Sequence, residues 1–351
     1  MKKVLLTGGA GFIGSHTCLV LLERGYKVFV IDSFENSSEK SLNRVLTILR
    51  NKNLELSANL SIFKGDIRDK YFLKKTFKEI ITFNNKLDGV IHFAGVKSVF
   101  ESVQNPLLYW QTNVSGTLNL LDILSRYQCK NFVFSSSATI YEQKDGLLLS
   151  ETSKVGPINP YGNTKLTVEK CLEDLFKSTN NFSKFASLRY FNPIGAHFTG
   201  MLGESPIGLP NNIFPLIINT AMGIQKELKI YGSDWPTKDG TPIRDYIHVM
   251  DLAEAHIKVL DFLIENKPIY LNLNIGTGIA TSVLDLVKTF ENVNNVKVPY
   301  VFANRRIGDA SYVVADNSLS ASKIDFICKR TIEEMCKDGW KWKKLNPNGF
   351  N

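Results

Sequence analysis

Lys3-Val4-Leu5-Leu6-Thr7-Gly8-Gly9-Ala10-Gly11-Phe12-Ile13-Gly14-Ser15 decides how this chain folds. A short apolar run ends at Thr7 and feeds directly into glycines at 8, 11 and 14, after which Cys18, Leu19, Leu21 and Leu22 continue as an apolar helix. Glycines so spaced let the chain turn tightly, bring backbone N–H groups against a pyrophosphate and pack helix on strand. The helix ends at Gly25, a second strand runs from Lys27 to Ile31, and Asp32 closes it 18 residues after Gly14. A carboxylate there accepts hydrogen bonds from a ribose 2′-hydroxyl and repels a 2′-phosphate, which favours NAD over NADP. Strand, turn, helix, strand and acid in that order predict a dinucleotide-binding α/β domain.

Residues 33 to 60 are rich in Asn, Ser, Lys and Glu and read as a surface excursion with a short helix over 41–50. Ile62-Phe63-Lys64 is a third strand ending at Gly65-Asp66-Ile67, where Asp66 either contacts an adenine or caps the next helix. A fourth strand, Gly89 to Phe93, opens onto Ala94-Gly95, small enough for close approach of a cofactor, and His92 within it reads as a packed strand residue. A helix is expected over 106–127, with Asn113 near its middle. A fifth strand, Asn131 to Phe134, opens onto Ser135-Ser136-Ser137. Ends of parallel strands face the ligand crevice, so these hydroxyls are delivered to it.

Pro160-Tyr161-Gly162-Asn163-Thr164-Lys165 then starts a helix whose apolar positions include Leu166, Val168, Leu172, Leu175 and Phe176. Tyr161 and Lys165 are one turn apart and share a face. A tyrosine is a poor base, with an ordinary pKa of about 10; a cation beside it favours the phenolate. Ser137 to hold a substrate oxygen, Tyr161 to take its proton and Lys165 to tune Tyr161 and bind a nicotinamide ribose together suit alcohol oxidation.

Composition narrows the alternatives. With 351 residues, 44% of them hydrophobic, the chain can bury a large core. The apolar run after Met1-Lys2-Lys3 stops at Thr7, too short for a signal peptide, and no run approaches a membrane span, so a cytoplasmic protein without membrane partners is expected. Five cysteines without a CxxC argue against a disulfide framework or a metal site. The formal charge of +8 is spread along the chain rather than clustered, which excludes nucleic acid as the expected partner and leaves an anionic small substrate open.

After Asn192 the chain becomes rich in Gly and Pro, with a helix over 213–222 and a strand around Leu228 to Tyr231, a composition that suits a substrate lobe. Leu271 to Ile275 reads as a strand returning to the first domain. Arg244 and Arg306 suit charge-assisted pairing with a diphosphate, or else form surface salt bridges.

Thr7 to Gly14, the Ser137/Tyr161/Lys165 set, Arg189-Tyr190-Phe191-Asn192-Pro193 and Arg244-Asp245-Tyr246-Ile247-His248-Val249 together resemble the extended short-chain dehydrogenase/reductase superfamily, and within it the UDP-glucose 4-epimerases. The likeness runs from Lys3 to Phe350, including Trp340-Lys341-Trp342 and Asn346-Pro347-Asn348-Gly349-Phe350; only residues 45–60 lack a counterpart. It implies an α/β fold with a Rossmann-type, doubly wound parallel sheet over 1–191, joined by a returning segment near 249–290. A smaller C-terminal α/β substrate lobe over 192–351 would be interleaved with it. It further implies NAD as cofactor, a UDP-sugar as substrate and a homodimer formed by two helices per subunit.

By the same match the catalytic residues would be Ser137, Tyr161 and Lys165. The cofactor would meet Gly8, Gly11, Phe12, Ile13, Gly14, Asp32, Asn36, Asp66, Ile67, Phe93, Ala94, Gly95, Lys97, Asn113, Tyr161, Lys165 and Tyr190. The substrate would meet Lys97, Ser137, Tyr161, Phe191, Asn192, Asn212, Ile213, Arg244, Tyr246, Arg306, Asp309 and Val313. The reaction implied is oxidation at C4, rotation of the 4-keto sugar and re-reduction on the other face, with no net redox change. Relatives that dehydrate nucleotide sugars carry an Asp-Glu pair after the serine or threonine; here Ala138-Thr139 follow Ser137. In Gly308-Asp309-Ala310-Ser311-Tyr312-Val313 the residue four after the Asp lines the sugar 2-substituent in the family, and Val313 leaves room there for an N-acetyl group. UDP-N-acetylglucosamine and UDP-N-acetylgalactosamine are then expected substrates, unless a one-residue slip puts Tyr312 in that place. Ile307 stands where the family commonly has an acid.

Overall fold

Strands that are apolar on both faces and helices that are apolar on one build a seven-stranded sheet in the computed structural model, which describes residues 1–54, 56–84, 86–142, 146–178, 183–208, 210–306 and 309–350. In chain order, β1 (Lys3–Thr7), α1 (Phe12–Glu23), β2 (Lys27–Asp32), α2 (Glu39–Asn51), β3 (Leu60–Lys64), α3 (Lys70–Asn84) and β4 (Gly89–His92) come first. There follow α4 (Val99–Gln104), α5 (Pro106–Tyr109), a π-helical turn (Trp110–Ser115), α6 (Gly116–Arg126), β5 (Asn131–Ser137), α7 (Pro160–Lys177) and β6 (Lys184–Tyr190). Next come β7 (Asn192–Ile194), α8 (Ile213–Ala221), β8 (Leu228–Tyr231), β9 (Ile243–Arg244), β10 (Tyr246–His248), α9 (Val249–Glu265) and β11 (Tyr270–Ile275). The chain ends with β12 (Thr281–Ser282), α10 (Val283–Asn294), β13 (Tyr300–Ala303), β14 (Tyr312–Val313), α11 (Ser318–Ile324) and α12 (Ile332–Leu345).

The sheet order is β11-β6-β5-β4-β1-β2-β3. β1 pairs in parallel with β2 and β4, β2 with β3, and β4 with β5. This is the doubly wound order 3-2-1-4-5-6 of a Rossmann-type fold, with one strand added beyond β6. β1, β2, β4, β5 and β6 are buried along nearly their whole length, as in a parallel sheet covered on both faces. The added strand is the one expected over 271–275.

Two local expectations are refined. The helix over 106–127 is one right-handed path, but its middle, which holds Asn113, is wound as a π turn. Composition carries no mark of that change, because only the hydrogen-bond register differs. The excursion after β2 is not loose: Leu42, Val45, Ile48 and Leu49 bury one face of α2, and Ser38 caps it by accepting from the Lys40 N–H. Of the excursion, residue 55 lies outside the described residues.

The chain divides into two compact units. Unit 1 is Met1–Ile140, Asn159–Arg189 and Ala253–Leu273. Its core joins Leu5, Phe29 and Ile31 with Phe77, Leu120, Phe132 and Leu172. Unit 2 is Tyr141–Ile158, Tyr190–Leu252 and Asn274–Asn351. It contains the parallel pair β7/β10, a three-stranded sheet β12-β9-β14 and the parallel pair β8/β13. Phe214, Ile218, Val287, Phe290 and Met335 from α8, α10 and α12 form its core.

Candidate active site

The glycine turn between β1 and α1 is built for close approach. Gly8 sits at φ +69°, where a side chain is strained, and an added Cβ would lie 2.6 Å from the Ala94 nitrogen. At Gly14 it would lie 2.3 Å from the Gly8 carbonyl oxygen. Gly11 precedes α1 without a side-chain cap, and no acid occupies the first turn, so the helix start presents its N–H groups to an anion. Asp32, buried at the end of β2, accepts from the Ala10 N–H at 2.9 Å, the Phe34 N–H at 2.9 Å and the Ser37 hydroxyl at 2.7 Å. These bonds fix the carboxylate beside the turn. A glycine cradle that a Cβ would fill, an uncapped helix start and a fixed acid fit NAD. Gly14→Ala is therefore expected to abolish retention of NAD through purification, checked by the absorbance of the released nucleotide; full retention would contradict this role.

Around the cradle the expected contacts divide. Asp66 is held by Arg68, whose N–H donates to it at 2.7 Å and whose guanidinium pairs with it. That pairing, acting against burial, keeps the Asp66 carboxyl below the usual range. Capping of α3 falls instead to Asp69, which accepts from the Tyr71 and Phe72 N–H groups. Ile67 is buried, while Asn36 and Lys97 are exposed. Asn113 accepts from the Val96 N–H at 2.9 Å, donates to the Val96 carbonyl at 3.0 Å and donates to Thr164 at 3.1 Å. It thus shapes the loop after β4, where a Cβ on Gly95 would meet its side-chain oxygen at 2.8 Å. His92 is the packed residue expected: fully enclosed between the Thr7 and Thr117 hydroxyls, it stays neutral because burial drives its pKa down to about 3. Phe93 stacks at a tilt on His256, 4.7 Å away.

α7 and the end of β5 bring together the three residues expected to be catalytic. Asn159 accepts from the Gly162 N–H at 2.9 Å and Pro160 occupies the first turn, so the helix starts where Tyr161 is needed. Tyr161, Lys165 and Ser137 are all buried. Lys165 Nζ donates to the Ser135 carbonyl at 2.7 Å and lies 5.8 Å from the centre of the Tyr161 ring. Burial pulls the Lys165 pKa down to about 8, with Glu169 opposing the fall. Burial pushes the Tyr161 phenol up to about 12, and a hydrogen bond with Ser137 works against it. Enclosure disfavours both charged forms, so the ammonium alone does not make this tyrosine acidic. Further positive charge is needed before Tyr161 can act as a base.

Ser137 is itself directed. Thr139 donates its N–H at 3.2 Å and its hydroxyl at 3.0 Å to Ser137 Oγ. With both lone pairs so engaged, the Ser137 proton is free to be donated.

Unit 2 holds a constellation of its own. Arg244 pairs with Asp309 and donates to the Ala310 carbonyl at 2.9 Å, so two residues expected at different parts of a nucleotide hold each other. Asp245 is buried and accepts from the Thr277 N–H, the Thr277 hydroxyl, the Gly278 N–H and the Ala315 N–H at 2.7 to 3.2 Å. This fastens the junction of β9 and β10 to the segments after β11 and β14. The Tyr246 hydroxyl is buried with no hydrogen-bond partner among the described residues. Arg306 forms no surface salt bridge among the described residues; its guanidinium lies 3.9 Å over the Tyr231 ring. Tyr190 and Phe191 are buried, Asn192 begins β7, and Asn212 precedes Ile213 at the start of α8. Val313 pairs with Arg244 and Tyr312 with Ile243. Ile307 and Gly308 lie outside the described residues.

Thr139, Glu169, Arg189, Phe34 and Ser37 join these clusters without having been singled out as site residues. Glu169 could have been found from its place one turn beyond Lys165, and Thr139 from its place two residues after Ser137. Phe34, at φ +59°, left no mark in the sequence.

Comparison with known proteins bears directly on this arrangement. The family profile described as GDP-mannose 4,6 dehydratase matches residues 5–339. UDP-glucose 4-epimerase 2 of Arabidopsis thaliana is 47% identical, covering 100% of this chain and 97% of its own length. The crystal structure of UDP-glucose 4-epimerase from Stenotrophomonas maltophila, with bound NAD and formylated UDP-arabinopyranose, superposes with a TM-score of 0.92 at 39% identity over 99% of both chains. That from Bifidobacterium longum, in complex with NAD+ and UDP, gives 0.91 at 40% identity over 99% of this chain and 100% of that one.

Proposed function

The chain belongs to the UDP-glucose 4-epimerase family, and from that premise we propose how its residues carry out the reaction. It is an NAD-dependent enzyme that interconverts UDP-galactose and UDP-glucose. Bound NAD supplies the acceptor, and then the donor, of the C4 hydride. Tyr161 removes the proton of the 4-hydroxyl as that hydride leaves, and returns it when the hydride comes back. Ser137, whose oxygen accepts from Thr139, donates a hydrogen bond to the same oxygen. Lys165 supplies a fixed cation to the developing phenolate. Arg244, Arg306 and Asp309 hold the nucleotide while the 4-keto sugar turns over, so the arginine and aspartate that pair with each other exchange that bond for diphosphate and ribose. Because Ala138 and Thr139 follow Ser137, no acid is placed to expel the 6-hydroxyl.

The observation that carries this reading is the joint burial of Tyr161, Lys165 and Ser137 at the end of β5. Purified protein given UDP-galactose and no added NAD is expected to form UDP-glucose. Stoichiometric release of NADH with an oxidised sugar would identify a dehydrogenase instead.

Val313 is the proposed gate for the sugar 2-substituent. In a parallel pair, residues level with each other point to the same face, which puts Val313 with Arg244 and Tyr312 on the opposite face. The protein should convert UDP-N-acetylgalactosamine as well as UDP-galactose, and Val313→Tyr should lose the acetylated substrate about 10-fold or more while sparing the other. Equal rates on both sugars before and after the substitution would remove Val313 from the gate.

Homodimerisation is proposed from the apolar residues left outward on α4, α5 and the π turn: Phe100, Val103, Leu107 and Trp110, three and four residues apart, with Leu107 66% exposed. Leu107→Asp should convert a dimer to a monomer in sedimentation; an unchanged mass would place the interface elsewhere. A cytoplasmic location is proposed from the free cysteines, of which Cys18, Cys129 and Cys336 are buried. Among the described residues no helix is long and apolar enough to cross a membrane.

A further inference from the structure

Three consecutive serines at the end of β5 each engage one residue of a single face of α7. The Ser137 hydroxyl is close enough to the Tyr161 phenol to oppose the rise of its pKa, the Ser135 carbonyl accepts from Lys165, and the Ser136 hydroxyl donates to Glu169 Oε1 at 2.5 Å. On α7 the three partners are four residues apart, so strand end and helix face are laced together over two turns. Glu169 and Arg189 are both almost wholly enclosed. Arg189, on β6, grips the carboxylate with two bonds, Nε to Oε1 at 3.0 Å and Nη2 to Oε2 at 2.7 Å. The Tyr270 hydroxyl donates to the Glu169 main-chain carbonyl at 3.1 Å.

We propose that Glu169, clamped by Arg189 and Ser136, is a positioning residue of the proton-transfer site: it sets the seat of α7 on β5 and supplies the counter-charge to Lys165. The inference rests on the role of Lys165 given above. Anchoring alone is a poor explanation for the pair. Burying a carboxylate and a guanidinium carries a desolvation cost that apolar side chains of similar volume avoid, often with no loss of stability. What apolar side chains cannot do is act on a buried ammonium one turn away. The ionisable groups that face Lys165 are His92 on β4, Tyr161 and Glu169 on α7, and Arg189 on β6 behind Glu169; Tyr109 on α5 stands edge-on to Tyr161 and donates to Glu101 on α4. His92 is neutral and adds no charge, and Glu169 is the acidic residue nearest Lys165 in sequence, one turn along the same helix. Its carboxylate favours the protonated lysine, against the burial that disfavours it.

The test compares pH profiles of kcat and KM for the parent, Glu169→Gln, Ser136→Ala, the double variant Glu169→Gln with Arg189→Met, and Lys165→Met. Glu169→Gln keeps an acceptor for Ser136 but leaves Arg189 unpaired and can fail to fold; the double variant removes both charges together. In the double variant kcat should fall about 10-fold with KM changed less than about 2-fold, and the alkaline limb, the one that Lys165→Met abolishes, should move about one unit to lower pH. Ser136→Ala should lower kcat and leave that limb in place, because the charge is kept. A folded double variant with the parental kcat and alkaline limb would overturn the proposal. If Lys165→Met itself leaves the profile untouched, the role assigned to Lys165 falls first, a result separate from failure of the double variant alone.

Discussion

Tyr161→Phe should keep the fold and the bound NAD and lose about 100- to 10,000-fold of kcat, the range that a positioned general acid/base contributes. The substitution removes one oxygen from a ring packed edge-on against Tyr109, 6.4 Å away, so the packing survives. What is lost is the group proposed to accept the proton of the 4-hydroxyl. Ser137 cannot replace it, since a hydroxyl fixed as a donor by Thr139 has no basic lone pair to spare. Thermal unfolding and the cofactor content of the variant check the first half, and turnover of UDP-galactose the second. A variant that keeps more than about a tenth of the parental kcat would remove Tyr161 from its role.

Lys165→Met should be nearly as damaging, for an electrostatic reason. The phenol is already pushed up to about 12 by burial. A cation favours phenolate, and withdrawing it raises the pKa further, by about one to three units for a neighbour at close range. Each unit leaves tenfold less phenolate at a fixed neutral pH, so kcat should fall about 10- to 1,000-fold. The acid limb of the profile should move to higher pH, because the base needs a lower proton activity to ionise. The parent also loses this cation as pH rises through about 8, where Lys165 gives up its proton, and the variant lacks that alkaline limb. An acid limb that stays in place would mean that the ammonium does not tune Tyr161.

The parts that could be read from the chain are those whose geometry is local. Glycines 8, 11 and 14 stand within one turn, and Tyr161 and Lys165 stand one helical turn apart, so spacing alone places them. The sheet order follows from alternating strands and helices, which allow few crossovers. Features set by long-range contact were hidden. Arg244 and Asp309 pair across 65 residues of sequence, and nothing near either announces the other. Glu169 looked like an ordinary charged position on a helix until β6 brought Arg189 to it, 20 residues away. The π turn that carries Asn113 has the composition of any helix, and the strength of burial at Tyr161 depends on Tyr109 and on neighbours from several elements. Spacing placed Lys165 one turn from Tyr161 and gave no warning that enclosure pushes the phenol up.

The most direct test of the central claim is to supply UDP-galactose carrying deuterium at C4, in ordinary water, with no added NAD, and to locate the label in the UDP-glucose formed. Oxidation and re-reduction at one carbon, with Tyr161 handling only the hydroxyl proton, predict that the product keeps its deuterium at C4. Deuterium lost to water with inversion at C4 would mean that a carbon-bound proton is exchanged with solvent, and would contradict the account.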